Sequence, residues 1–209
     1  EERWMAEGIE MADSIVFNPH KWLLTNFDCS AHYVKQPELL IRTLSILPEY
    51  LKSREQDQVI DYRDWSVPLG RRFRALKLWF VIRSYGVKGL QKIIRNHIKL
   101  AEYAATWIDE DPEFELVSPR SLSLLNFRFR PKNITKSADI DLLNEDLLNR
   151  LNDSGRVYFT QNRVRGKFTI RWSIGQTNTQ LKHVENAWSL IKRISNNLNQ
   201  IGSARINSD

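Results

Sequence analysis

The segment KFTIRWSIG, residues 167–175, constrains the fold most, because its apolar and polar residues alternate with a period of two. This alternation predicts a β-strand with one buried face. The residues on that face are Phe168, Ile170, Trp172 and Ile174. Apolar residues at helical spacing follow over residues 179–198 and predict an amphipathic helix. A strand and a helix that each have one apolar face favour a domain with helices on one face of a small antiparallel sheet.

Strands and helices also alternate in the region before this segment. The predicted strands are FELVS (residues 114–118), LLNFRFR (124–130) and VYFTQ (157–161), and residues 139–153 form a predicted helix. We therefore predict a small α+β domain over residues 81–209.

The N-terminal part has shorter elements. SIVFN, residues 14–18, is predicted to be a buried strand, and residues 28–35 a second strand. Residues 37–46 predict a short helix that has proline in its first turn. Residues 47–64 are polar, charged and weakly periodic, which is typical of a functional lid or a disordered segment.

A helical period returns in RRFRALKLWFVIRSYG, residues 71–86, with Gly86 as the predicted stop and a second helix over residues 89–109. This segment contains the densest cluster of basic residues in a chain of net charge +6. Its arginines, Arg71, Arg72 and Arg74, could bind an anion, but the apolar residues between them favour a helix with one buried and one charged face. No nucleic-acid-binding signature accompanies them, so no nucleic-acid partner is predicted. No apolar run reaches about 18 residues, so no membrane partner is predicted either.

Cysteine and histidine content bears on compartment and metal binding. Cys29 is the only cysteine, which excludes an internal disulfide and favours a reducing, cytoplasmic location. No base is evident near it in sequence, so a small buried residue is expected there. The histidines, which are His20, His32, His97 and His183, are scattered without the spacing of metal ligands. We predict no metal site.

The segment FNPHKWLLTNFDCS, residues 17–30, contains an isolated lysine, Lys21, with no other charge before Asp28. Its stem could lie along apolar surface with the ammonium group in water. It could instead serve as an amine nucleophile that forms a Schiff base with a carbonyl. The local sequence leaves both interpretations open.

NPHKWLLTNFDCS, PEYLK and DYRDWSVPLGRRFRALKLWFVIRSYGVKGLQ together resemble the aromatic-L-amino-acid decarboxylases, which are group II pyridoxal-phosphate decarboxylases. The resemblance runs from about residue 7 to about residue 195. It implies decarboxylation of an aromatic L-amino acid to the amine and carbon dioxide, with pyridoxal 5'-phosphate as cofactor.

The resemblance also assigns roles to single residues of this motif. Lys21 corresponds to the lysine that holds the cofactor covalently, and Asn18 and His20 to residues beside the cofactor phosphate. We count His20 among the catalytic residues too. Phe27 corresponds to a residue that lines the substrate pocket. On their own, His20 could be a packing histidine and Phe27 an ordinary core aromatic.

Two further residues come from later motifs. Tyr50 corresponds to the tyrosine of a mobile catalytic loop, here about residues 47–64, which protonates the substrate Cα. By itself it would be a surface aromatic in a loop. Gly70 would leave room for a bulky, dopa-like or indolic ring, although it could also be a simple glycine at a helix N-terminus.

The fold that the resemblance implies is the α/β, aminotransferase-like type I fold. Residues 1–80 would be the end of the large domain and residues 81–209 the small α+β C-terminal domain. The family's other cofactor-binding residues all lie upstream of the lysine, so we expect the upstream half of the same enzyme to be needed. The family forms homodimers with a shared active site, which we expect here.

Several alternatives stay open. The substrate could be histidine, and the ring preference among dopa, tyrosine, tryptophan and 5-hydroxytryptophan is undecided. An aromatic aldehyde synthase is the nearest rival, but those relatives have phenylalanine at the position of Tyr50. Other rivals are a basic anion-binding module and an inactive homologue kept for assembly.

Overall fold

The computed structural model describes residues 2–46 and 60–206. The chain divides into two units, Glu1–Leu90 and Gln91–Asp209, which we call the N-terminal and C-terminal units. Both units contain helices and strands, so the mixed α and β character predicted from the sequence is confirmed.

The strands of the N-terminal unit form a hairpin-like pair. β1 (Ser14–Phe17) lies antiparallel to β2 (Ala31–Val34), with Val16 opposite His32. Both predicted strands are therefore present. The prediction that β1 is buried is wrong for the described residues, because Val16 is 59% exposed. A sheet of only two strands cannot cover its own faces.

The other elements of this unit before residue 74 are short. They are 3-10 helices at Arg3–Ala6, Ile9–Met11 and Tyr62–Trp65, and helix α1 (Pro37–Leu44). Helix α1 begins with proline in its first turn, as predicted, where the missing N–H costs no hydrogen bond.

Helix α2 (Arg74–Glu110) is interrupted at Gly86, which has a φ of 65° and a ψ of 164°. Side chains with a Cβ are strained in this conformation, so glycine is the residue that adopts it readily. The predicted helix stop at Gly86 is confirmed, and the helical run resumes directly after it.

The C-terminal unit contains a four-stranded antiparallel sheet in the order β3-β4-β6-β5. Its strands are β3 (Phe114–Leu116), β4 (Leu124–Phe129), β5 (Thr160–Val164) and β6 (Lys167–Ser173). Phe127 pairs with Ile170 in the middle of the sheet. Helix α3 (Ser137–Asp153) packs against β4 and β6, and helix α4 (Leu181–Ile206) packs against α3.

One strand begins later than the sequence predicts. The strand expected at 157–161 starts at Thr160, because the side chain of Asn152 binds the backbone of Phe159. The Asn152 amide donates to the Phe159 carbonyl at 3.0 Å, and its oxygen accepts from the Phe159 N–H at 2.8 Å. These backbone groups are thus used before the strand ladder begins.

The apolar face predicted for residues 167–175 lies in the core. At most 7% of each of its side chains is exposed, and these are Phe168, Ile170, Trp172 and Ile174. Phe114 joins this core through ring contacts with Phe127 and Trp188, at centroid distances of 6.3 Å and 5.0 Å. Each such buried side chain contributes about 1.5–3 kcal/mol to folding.

Candidate functional site

Lys21 lies in a tight turn directly after β1. Its backbone N–H donates to the carbonyl of Asn18 at 3.0 Å, and the N–H of Thr25 donates to the carbonyl of Pro19 at 3.2 Å. Pro19 and Thr25 are buried under this turn, whereas Lys21 itself is exposed. Among the described residues, the Lys21 side chain is therefore open to solvent.

His20 joins this turn to the segment that follows it. Its backbone N–H donates to the carbonyl of Cys29 at 3.1 Å. Its Nδ1 lies 3.0 Å from the N–H and 2.7 Å from the carbonyl oxygen of the same residue. If Nδ1 carries no hydrogen, it accepts from that N–H, and if it carries one, it donates to that carbonyl. The imidazole therefore contacts the backbone of Cys29, as a packing histidine would, and His20 directly precedes Lys21 in the sequence.

Asn18 is half-buried at the start of the turn. Its Oδ1 accepts a hydrogen bond from the hydroxyl of Ser30 at 2.8 Å. Ser30, the last residue of the motif, was not among the predicted site residues. Its small hydroxyl within the motif was the only signal that could have identified it.

Phe27 is not a core aromatic among the described residues, because its side chain is 84% exposed. Its ring lies edge-on to the imidazole of His20, with centroids 4.9 Å apart and planes at 67°. Asn18, His20 and Lys21 therefore lie on one turn, and the ring of Phe27 contacts the imidazole of His20.

Asp28 connects this group to the beginning of α2. Arg74 binds its Oδ2 through Nε at 3.0 Å and a terminal nitrogen at 2.9 Å, and Arg72 lies 3.2 Å from Oδ1. The hydrogen bond from Arg74 and the charges of both arginines hold the pKa of Asp28 below its ordinary value, although partial burial opposes this. Residues 28 and 74 are far apart in sequence, so no local pattern predicted the pair.

The third arginine of this cluster also has partners within the chain. A terminal nitrogen of Arg71 donates to the Ser66 hydroxyl at 2.7 Å and to the Tyr62 carbonyl at 3.3 Å. All three basic side chains at 71, 72 and 74 are thus engaged in intramolecular contacts. This observation weakens the interpretation of the cluster as an anion-binding surface.

Gly70 and Tyr50 are less closely tied to this group. Gly70 is exposed, and a Cβ at its position would meet no atom of the described chain within 4 Å. It lies two residues before Arg72. Tyr50, with most of the predicted loop, lies outside the described residues. At the end of that loop, Asp64 accepts from the hydroxyl of Ser45 at 3.2 Å.

The donor set around Lys21 fits a cofactor that has an aldehyde and an anionic group. A primary amine is the group that binds an aldehyde covalently. A carboxamide and an imidazole on the same turn are hydrogen-bonding groups for phosphate oxygens. No cluster of three or more His, Cys, Asp or Glu side chains within residues 2–46 and 60–206 is arranged to hold a metal ion. No helix among these residues is long and apolar enough to cross a membrane.

Comparison with known families gives one model match. The model described as the pyridoxal-dependent decarboxylase conserved domain matches residues 1–130. That range includes all of the candidate site residues.

Individual relatives agree with this match. The chain is 46% identical over 194 residues to tryptophan decarboxylase TDC1 of Camptotheca acuminata. It is 44% identical, also over 194 residues, to phenylacetaldehyde synthase of Arabidopsis thaliana. Each alignment covers 92% of this chain and 39% of the relative. The chain therefore spans about two fifths of the length of the curated relatives that it matches.

A solved structure supports the likeness in three dimensions. The crystal structure of Oryza sativa TDC with PLP and tryptamine matches with a TM-score of 0.88 at 39% identity. The match covers 92% of this chain and 40% of that one.

Proposed function

Because this chain belongs to the pyridoxal-dependent decarboxylase family, we propose that the complete protein converts an aromatic L-amino acid to its amine and carbon dioxide. Pyridoxal 5'-phosphate would be the cofactor. The observation that carries this proposal is the exposed Lys21 on one turn with Asn18 and His20, next to the ring of Phe27, which contacts His20.

Each residue of the turn would have a distinct part. Lys21 would hold the cofactor covalently through Nζ, and Asn18 and His20 would bind near its phosphate. When bound, pyridoxal phosphate supplies an electron-withdrawing ring that stabilises negative charge at the substrate Cα. Phe27 would contact the aromatic ring of the substrate, for which its exposed face is suited.

Tyr50 would return a proton to Cα after carbon dioxide has left. The net reaction consumes one proton and exchanges the carboxylate for hydrogen, so a proton donor at that carbon is required. A mobile loop at about 47–64 would bring the phenol to the substrate and exclude water. The described end of that segment is joined to α1 by the hydrogen bond between Ser45 and Asp64.

We assign an aromatic substrate with a large ring. The similarity to a tryptophan decarboxylase supports an indolic ring, and the open space around Gly70 is compatible with one.

A second candidate function is aromatic aldehyde synthesis, which the similarity to phenylacetaldehyde synthase favours. That reaction consumes dioxygen and water and yields aldehyde, ammonia and hydrogen peroxide besides carbon dioxide. Tyr50 argues for the decarboxylase, since the two outcomes differ in whether Cα is protonated promptly.

We further propose the assembly that goes with this function. Residues 1–80 would end the large domain of a type I fold, and 81–209 would be its small α+β domain. The complete enzyme would be a cytoplasmic homodimer with shared active sites, and its upstream half would supply the rest of each site.

The test is covalent labelling of the complete protein. Borohydride reduction after loading with pyridoxal phosphate should place the label on Lys21, and amine should form from L-tryptophan, L-tyrosine or L-dopa. Lys21→Ala should abolish both, whereas Lys35→Ala should change neither, since the Lys35 ammonium donates to the carbonyl of Glu10, away from the motif. A label on another lysine would contradict the proposal.

A further inference from the structure

The position of Lys21 depends on contacts made by Cys29. The preceding residue, His20, binds both backbone groups of Cys29, through its own N–H and through Nδ1. The turn with Lys21 is therefore fixed to the backbone at residue 29, and any shift of that backbone would move the lysine.

The backbone at residues 28–29 is in turn fixed to the first turn of α2. Arg74 binds the carboxylate of Asp28 through two nitrogens, and the thiol of Cys29 donates to the Arg74 carbonyl at 3.8 Å. Two separate contacts thus join the same pair of segments. The thiol contact is weak, whereas a charge-assisted bond between guanidinium and carboxylate is about twice as strong as a neutral one.

Asp28 has the properties that such a connection requires. Its side chain is 30% exposed, which limits screening by water, and Arg74 is similarly enclosed at 33%. Arg72 is 77% exposed, so its contact with the other oxygen should contribute less. The Asp28 carboxylate is ionised at neutral pH, as an aspartate of ordinary pKa is, and the hydrogen bond from Arg74 lowers its pKa further.

The same carboxylate also bears on Phe27, the residue just before it. The Phe27 ring is largely exposed, and the contact recorded for it is the edge-on one with His20. Asp28 is held on α2 and directly follows Phe27, so the same ion pair restrains the backbone that carries the Phe27 ring.

We propose that Asp28, held by Arg74 and Arg72, is a positioning residue that orients Lys21 and Phe27 for cofactor and substrate. It acts through Cys29 and His20 and touches neither ligand. The proposal rests on the assignment of Lys21 as the cofactor lysine.

The test uses the complete protein with Asp28→Asn, which keeps the shape and removes the charge. Affinity for pyridoxal phosphate, followed by the absorbance of the lysine-bound cofactor, should fall about tenfold. The pH at which that absorbance changes should shift, and kcat/KM should fall by about 10–100-fold, the usual size of a small misplacement.

Arg74→Gln should reproduce these changes, because it removes the other partner of the same ion pair. If Asp28→Asn does not fold, Arg74→Gln tests the proposal in its place. The double variant should be no worse than either single one, since both lose one interaction. Arg72→Gln should have a smaller effect. Asp28→Glu, which keeps the charge, should restore part of the affinity.

Asp111→Asn is the matched control, because Asp111 pairs with Lys192 in the C-terminal unit. It should lower the thermal midpoint without changing the absorbance or its pH dependence. The proposal would be overturned if Asp28→Asn lost as much stability as Asp111→Asn while the absorbance and the affinity for pyridoxal phosphate stayed unchanged. If the cofactor band survives in Lys21→Ala, the proposed function fails instead, so the two failures are distinguishable.

Discussion

The two units differ in what holds their described residues together. In the C-terminal unit, one apolar core contains buried side chains from Leu100 to Leu198. In the N-terminal unit, polar contacts such as those of Asp28 and His20 join the segments. Large apolar side chains remain at its surface, and Phe73 is 75% exposed.

This contrast indicates a division between stability and chemistry. An apolar core resists substitution at any of its residues, because closely packed interiors tolerate little change in volume. A turn held by directional polar contacts can place an exposed amine and an exposed ring with a defined geometry. Substitutions in one unit should therefore change folding, and those in the other should change catalysis.

The largest expected effect on stability is in the core. Phe127→Ala should lower the free energy of unfolding by about 3–5 kcal/mol, because Phe127 is fully buried and packs against Phe114 and Trp172. Denaturant unfolding of the complete protein measures this. Phe73→Ala, the matched control, should cost about 0.5 kcal/mol or less. Equal costs would mean that Phe73 is buried in the complete protein and would break the comparison.

Tyr50→Phe tests the chemical half of the contrast. Amine production should fall by about 10²-fold, because the proton donor to Cα is lost, with aldehyde, ammonia and peroxide formed under air. Substrate binding and the unfolding midpoint should change little. Product analysis by chromatography gives the ratio of amine to aldehyde. Undiminished amine without aldehyde would show that another group protonates Cα.

The smallest expected effect is a pH dependence that comes from the C-terminal unit. His97 is 1% exposed, and burial lowers its pKa below 6.5, although a hydrogen bond with the backbone of Gln176 opposes this. As pH falls below about 6.5, the unfolded chain gains a proton that the folded chain does not, so stability decreases until the folded-state pKa is reached. The slope should not exceed about 1.4 kcal/mol per pH unit.

Urea unfolding between pH 5 and 8 would measure this slope, and His97→Gln should flatten it. A slope that survives in His97→Gln would have to come from another group.

Much of the fold followed from the sequence because local periodicity reports burial. The alternation in β6 predicted its buried face, and the apolar spacing after residue 179 predicted α4. The stop at Gly86 was also predictable, since glycine favours the backbone conformation found there. In the candidate site, the NPHKW motif identified the turn that contains Asn18, His20 and Lys21, and Phe27 contacts His20 from outside it.

The rest of the fold and of the site depends on contacts that periodicity does not report. The hydrogen bonds of Asn152 to Phe159 delay the start of β5, and no strand pattern contains that information. The burial of β1 was overestimated, because an apolar run does not reveal how many strands will join it. The ion pair of Asp28 with Arg74 joins residues that are 46 positions apart, so no local pattern indicated that the two charges would pair.

The strand order of the C-terminal sheet has a consequence for solubility. Among the described strands, β3 and β5 are at the edges, where unpaired backbone groups could recruit strands from other molecules. β3 has only three residues, with Glu115 at its centre, and β5 exposes Arg163 beside two polar residues. Short edges and charged side chains oppose edge-to-edge pairing. This sheet should therefore resist aggregation through its edges even at high protein concentration.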